Sequence, residues 1–182
     1  MAPPTRYARL NAIDPEQLGQ AVSSAVRGHV SRLAMDVGLS VREDGVDNLR
    51  LSVRDLAHYA RTGQGMDASV EEYLISIAPP VWMRAYDPGA YQTPEFDAGD
   101  PDSLQPDWRG QLVLVMRAAI AREKLDRKQP IAPAELAALA SMAAAAVRLL
   151  CQKGEIVAER SEDGWTILPK DAKAFLKARA TK

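Results

Sequence analysis

The chain has 182 residues, enough for one medium domain or two small ones, with 47% hydrophobic and 26% charged residues and a net charge of -1. Its single cysteine, Cys151, excludes an internal disulfide and a zinc site built from thiolates. No run approaches the roughly 18 apolar residues of a membrane span, and the opening MAPPTRYARLNAID lacks the apolar centre of a secretory signal, so a cytoplasmic protein is expected.

Aromatic residues make up only 5% of the chain, and alanine and leucine dominate the apolar set. Alanine loses no side-chain entropy in a helix and leucine loses little, so the composition favours a mainly α fold. The small net charge hides a polarity. Residues 1–80 carry 8 basic and 10 acidic side chains, residues 81–107 carry one and 6, and residues 108–182 carry 14 and 8. Every lysine lies at Lys124 or later. The C-terminal part is therefore the part suited to an anionic partner.

The first predicted helix begins at Asp14-Pro15, where Asp14 caps, Pro15 suits the first helical position and Gln17 completes a capping-box pattern. Leu18, Val22, Ala25, Val26, Val30, Leu33 and Val37 recur at helical spacing, and Gly38 is the stop. That apolar stripe needs a partner helix and raises the expectation of a homodimer or a protein partner. Asp44-Gly45 carries turn chemistry, so its flanks read as a short hairpin or a loop. Helices follow over SVRDLAHYARTG, with Ser52 and Asp55 as a capping pattern, and over SVEEYLISIA, with Ser69 and Glu72 repeating the device. Residues 1–80 thus read as a helical domain.

Residues 81–108 are rich in Pro, Asp and Gly and show no period, which marks an acidic linker or wrapped loop. Its Trp82, Tyr86, Tyr91, Phe96 and Trp108 are expected to pin it to a helical surface. RGQLVLVMRAAIAREKLDRK is the next helix and opens a C-terminal unit at 109–182.

Within that unit, PAELAALA from Pro133 reads as a short helix with Leu136, Ala137 and Ala140 inward. Ser141-Met142 turns the chain, a second helix runs from about Ala143 to Lys153 with Val147 and Leu150 inward, and Gly154 caps it. EIVAER and GWTIL alternate as two strands around the turn Ser161-Glu162-Asp163-Gly164, and PKDAKAFLKAR closes the chain as a helix.

The ordered set Leu136-Ala137, Met142, Val147-Arg148, Leu150, Lys153-Gly154, GWTI and AKAFL resembles the winged helix-turn-helix of the MerR and excisionase-like DNA-binding proteins. The likeness covers roughly residues 130–180. It implies a fold that is mainly α with a small β-hairpin, a second helix that enters the major groove, and a wing and flanking cations that hold phosphates. Carried over by position, it implicates Ser141 at the turn, Ala144 and Ala145 at base-reading positions, Arg148 and Gln152 on the second helix, Lys153 at its end and Arg160 at the wing; the basic charge of the C-terminal part adds Lys170 and Lys173 as phosphate contacts.

Three departures bear on function. Ser141 stands where such proteins usually have Gly, Ala143 replaces the usual Ser or Thr cap, and Ala144-Ala145 offer no side-chain hydrogen bond to a base edge. The expected function is a DNA-binding accessory protein or transcriptional regulator with duplex DNA as partner. The alternative is an interaction protein whose winged module no longer reads DNA.

No catalytic or cofactor motif stands against these readings. HExxH, GxSxG, P-loop and dinucleotide fingerprints are absent, so no enzyme activity, metal or cofactor is expected. His29 reads as a residue at the core boundary, His58 as a partly exposed helix position, and Cys151 as a small buried apolar residue.

Overall fold

The computed structural model describes residues 10–36, 38, 40, 43–74, 77, 107–162 and 164–180. A 3-10 turn at Leu10–Ala12 leads into α1 (Pro15–Asp36) and α2 (Glu43–Thr62). After them come α3 (Trp108–Asp126), α4 (Pro133–Ala140), α5 (Ala144–Gln152), strands β1 (Glu159–Ser161) and β2 (Gly164–Thr166), and α6 (Pro169–Ala180). The described residues are mainly helical and include a two-stranded antiparallel sheet near the C-terminal end.

Helix α1 starts where its cap directs. The Asp14 carboxylate accepts from the N–H groups of Glu16 and Gln17 at 2.9 and 3.1 Å, satisfying two free donors of the first turn. Leu18, Val22 and Val26 are buried, and Gly38 follows the helix with φ 72°. The stripe finds its partner inside the chain, because these residues join Leu49, Val53, Leu56, Val115 and Ala118 in one core. The buried residues of the stripe that suggested a dimer are thus covered by α2 and α3, while Val37 and the Leu33 side chain lie outside the described residues. Gly19 marks a close crossing, since a Cβ there would stand 2.6 Å from the Arg50 carbonyl oxygen.

The expected hairpin or loop around Asp44-Gly45 is instead the first turn of α2. Val46, Leu49, Val53, Leu56 and Ala60 are all buried at helical spacing, and that burial outweighs the local turn preference. Ser52 and Asp55 accordingly lie inside the helix and do not start it. Residues 70–74 are helical, and the Ser69 hydroxyl accepts from the Glu72 N–H at 3.2 Å as expected. The acidic segment with Trp82, Tyr86, Tyr91 and Phe96 lies outside the described residues, as does the His29 side chain. Trp108 is half-buried against the first core.

Helix α3 links two cores. Asp107 caps it by accepting from the Arg109 and Gly110 N–H groups at 3.1 and 3.0 Å. Its first turns supply Leu112, Leu114, Val115, Ala118 and Ala119 to the core shared with α1 and α2. Leu125, near its end, belongs to a second core with Ile131, Leu136, Ala137, Val147, Cys151, Ile156, Ile167 and Ala172. Between them, the half-buried Arg122 donates to the Ala60 carbonyl and, at 2.7 Å, to the Arg61 carbonyl. A cation on the last carbonyls of α2 satisfies acceptors that have no partner within that helix. Burial holds the Arg122 guanidinium below its ordinary pKa.

Candidate functional site

The C-terminal unit is built from helix ends. Helices α3, α4 and α5 each finish on a residue in left-handed conformation, Lys128 (φ 58°), Ser141 (φ 50°) and Gly154 (φ 73°). After each, the next N–H reaches back five residues: Gln129 to the Lys124 carbonyl, Met142 to that of Ala137, and Glu155 to that of Leu150, at 2.7, 3.0 and 2.9 Å. This closes three helices by the same motif, although only Gly154 adopts the conformation without a Cβ penalty.

Helix α4 is entered through Ala132, whose methyl group caps nothing. The Glu135 carboxylate serves a different donor. It accepts from the Ala132 N–H at 2.8 Å and from Lys124 Nζ at 2.6 Å, tying α4 to α3. Ser141 (φ 50°, ψ 54°), Met142 and Ala143 then turn the chain, and α4 and α5 meet at 117°. Ala143 begins α5 in extended conformation with no side-chain cap, as its sequence implies. Ala137 and Ala140 are both buried, so small side chains stand where the two helices are joined most tightly.

Downstream, β1 and β2 pair with Glu159 opposite Thr166, Arg160 opposite Trp165 and Ser161 opposite Gly164. Ile131 and Ile167 exchange two backbone hydrogen bonds of 2.9 Å, pinning the hairpin to the segment that enters α4. The hairpin is thereby fixed at both ends: by this bridge, and by Ile156 buried beside Val147 and Cys151.

The nine implicated residues divide by placement. Val147 and Cys151 point into the core, so the opposite face of α5 carries Ala145, Arg148, Leu149 and Gln152 at i, i+3, i+4 and i+7, all exposed. Lys153 is exposed just beyond the helix. Ala144 is buried at 6% exposure and faces the core, one residue and about 100° of helical rotation away from Ala145. Ser141 is half-buried, with its role in the backbone turn. Arg160 is exposed, its guanidinium 5.7 Å from the centre of the Trp165 ring. Lys170 and Lys173 are exposed on α6, where Lys173 borders a cleft of about 370 Å³ with Arg122, Leu125, Asp126, Leu139 and Leu176. No α5 residue lines that cleft. The structure therefore gathers Ala145, Arg148, Gln152 and Lys153, and leaves Lys173 with a different set of neighbours.

Leu149 escaped the sequence reading. It is 48% exposed, with only Met35 and Val157 as other large apolar residues so exposed among those described. Its signal was the four-residue spacing from Ala145. The hairpin and its approach, EIVAERSEDG, carry Glu155, Glu159, Glu162 and Asp163 against the one cation Arg160.

Other chemistry is thin among the described residues. No group of three or more His, Cys, Asp or Glu side chains is placed to hold a metal ion, and no single helix is long and apolar enough to cross a membrane. Cys151 is buried, and desolvation pushes its thiol pKa up, which disfavours the reactive thiolate. Compared with known proteins, the chain matches no family model, no curated protein and no solved structure.

Proposed function

We propose that residues 130–180 form a winged helix-turn-helix of the MerR and excisionase-like kind, and that the chain is a DNA-binding accessory protein or transcriptional regulator. The observation that carries this reading is the outward row Ala145, Arg148, Leu149, Gln152, continued by Lys153, on a helix held at 117° to the one before it by a three-residue turn. A helix so presented fits a major groove, where Gln152 can meet an adenine edge and Arg148 the flanking phosphates. Lys153, exposed just past the helix end, has the charge to meet a phosphate. Two alanines at the start of the helix leave few groups for base readout, so phosphate attraction supplies most of the affinity.

The test is titration of a short labelled duplex at several salt concentrations with the full chain and with its Arg148→Ala/Lys153→Ala variant. Phosphate-led binding weakens steeply with salt, and the double variant binds every sequence more weakly.

A second reading has its own support. The acidic hairpin and the exposed Val157 on its approach suit a protein partner better than a polyanion. On that reading duplex DNA is not retained even in dilute salt.

A further inference from the structure

We infer that Leu149 is a specificity-determining residue that selects thymine by covering its C5 methyl group; this rests on the DNA reading above. Leucine at 48% exposure in the middle of a short helix is unusual in its setting, because every other position on the outward row is small or polar. Its neighbours define what can cover it. Arg148 precedes it, Ala145 lies one turn before it, and Gln152 and Lys153 lie three and four residues beyond. Two cations beside one apolar side chain match a surface that is anionic with an isolated apolar spot.

The major groove of a DNA duplex is such a surface. Its walls are phosphates, and the thymine methyl is its apolar landmark on the base edges. Ala145 extends the apolar strip toward the start of α5 and is too short to reach as far as leucine. Gln152, three residues beyond Leu149 and about 60° round the helix, carries the hydrogen-bonding part of the readout. The row thus reads A·T-containing steps by a methyl contact, which compensates for the missing polar groups at the start of the helix.

The experiment compares binding of the full chain to alternating dA-dT duplex and to alternating dA-dU duplex at one dilute salt concentration. The two polymers share charge and base-pairing edges and differ at the C5 methyl. The chain is expected to bind the thymine polymer about fourfold more tightly for each methyl covered. Leu149→Ala is expected to level the two affinities, and Val157→Ala, a change at another exposed apolar residue, to leave the ratio intact. Leu149 is half-exposed and alanine is a strong helix former, so the variant retains the fold. Equal affinity of the unaltered chain for both polymers overturns the inference and leaves the DNA reading standing. A thymine preference that survives Leu149→Ala overturns the assignment to this residue. Failure to bind either polymer overturns the DNA reading and this inference together.

Discussion

Replacing two glycines of α1 by alanine should shift stability in opposite directions. Gly19 and Gly28 both lie inside the helix, where alanine is intrinsically favoured by about 1 kcal/mol. At Gly28 an added Cβ meets nothing within 4 Å, so Gly28→Ala should stabilise by close to that amount. At Gly19 the Cβ would stand 2.6 Å from the Arg50 carbonyl oxygen and 3.4 Å from Arg50 Cγ. The oxygen belongs to the backbone of α2 and cannot swing aside. The two helices must separate, loosening Leu18 and Val22 against Leu49 and Val53. Overpacking of this kind costs about 1–3 kcal/mol, enough to cancel the propensity gain and leave Gly19→Ala net destabilised. Urea denaturation followed by far-UV circular dichroism reads the sign directly: the midpoint rises for Gly28→Ala and falls for Gly19→Ala at similar slope. A Gly19→Ala protein as stable as Gly28→Ala would refute the close crossing of α1 over α2, and with it the packing of the first core.

Three further outcomes follow from the same structure. Ser141→Gly should stabilise by about 1 kcal/mol because it relieves a left-handed Cβ, and Ala143→Ser by about the same by capping α5; loss of stability in both would contradict the turn geometry, as read by the same denaturation assay. Burial acts on the Asp107 carboxyl to raise its pKa, but hydrogen bonds from Gly110 and Arg109 outweigh it and hold the group below its ordinary value. Its contribution is therefore present above the pKa of the unfolded chain and is lost as pH falls through the folded-state value; Asp107→Ala should cost about 1 kcal/mol at neutral pH and progressively less in acid. Cys151 should resist a thiol reagent in native buffer and react on addition of denaturant; rapid native labelling would contradict its burial.

Legibility along the chain followed the kind of signal present. Helices α1, α4, α5 and α6 were readable because caps and breakers bracket them: Asp14-Pro15, Pro133, Gly154 and Pro169 stand at or beside their ends. The start of α2 was not, because Asp44-Gly45 is strong local turn chemistry and the competing evidence, burial of Val46 and Leu49, is tertiary. Helix α3 was found, but its service to two cores was not. Leu112, Leu114, Val115, Ala118, Ala119 and Ala121 are buried around much of its circumference, which blurs the stripe that would assign it to one partner. On α5, the exposure of Arg148, Gln152 and Lys153 was legible by position, whereas Ala144 and Ala145 are chemically identical and only the helix phase separates the buried one from the exposed one. Leu149 was hidden because leucine in a helical sequence ordinarily signals core.

The most direct test of the account is the salt dependence of duplex binding. A plot of log affinity against log salt for the full chain should fall steeply, with a slope of about -0.9 for each phosphate neutralised. Arg148→Ala/Lys153→Ala should flatten that slope by about 1–2 and weaken binding on unrelated sequences alike. A chain that shows no affinity for duplex in dilute salt, or whose slope is untouched by the double substitution, would contradict the claim that α5 and its terminal lysine face DNA.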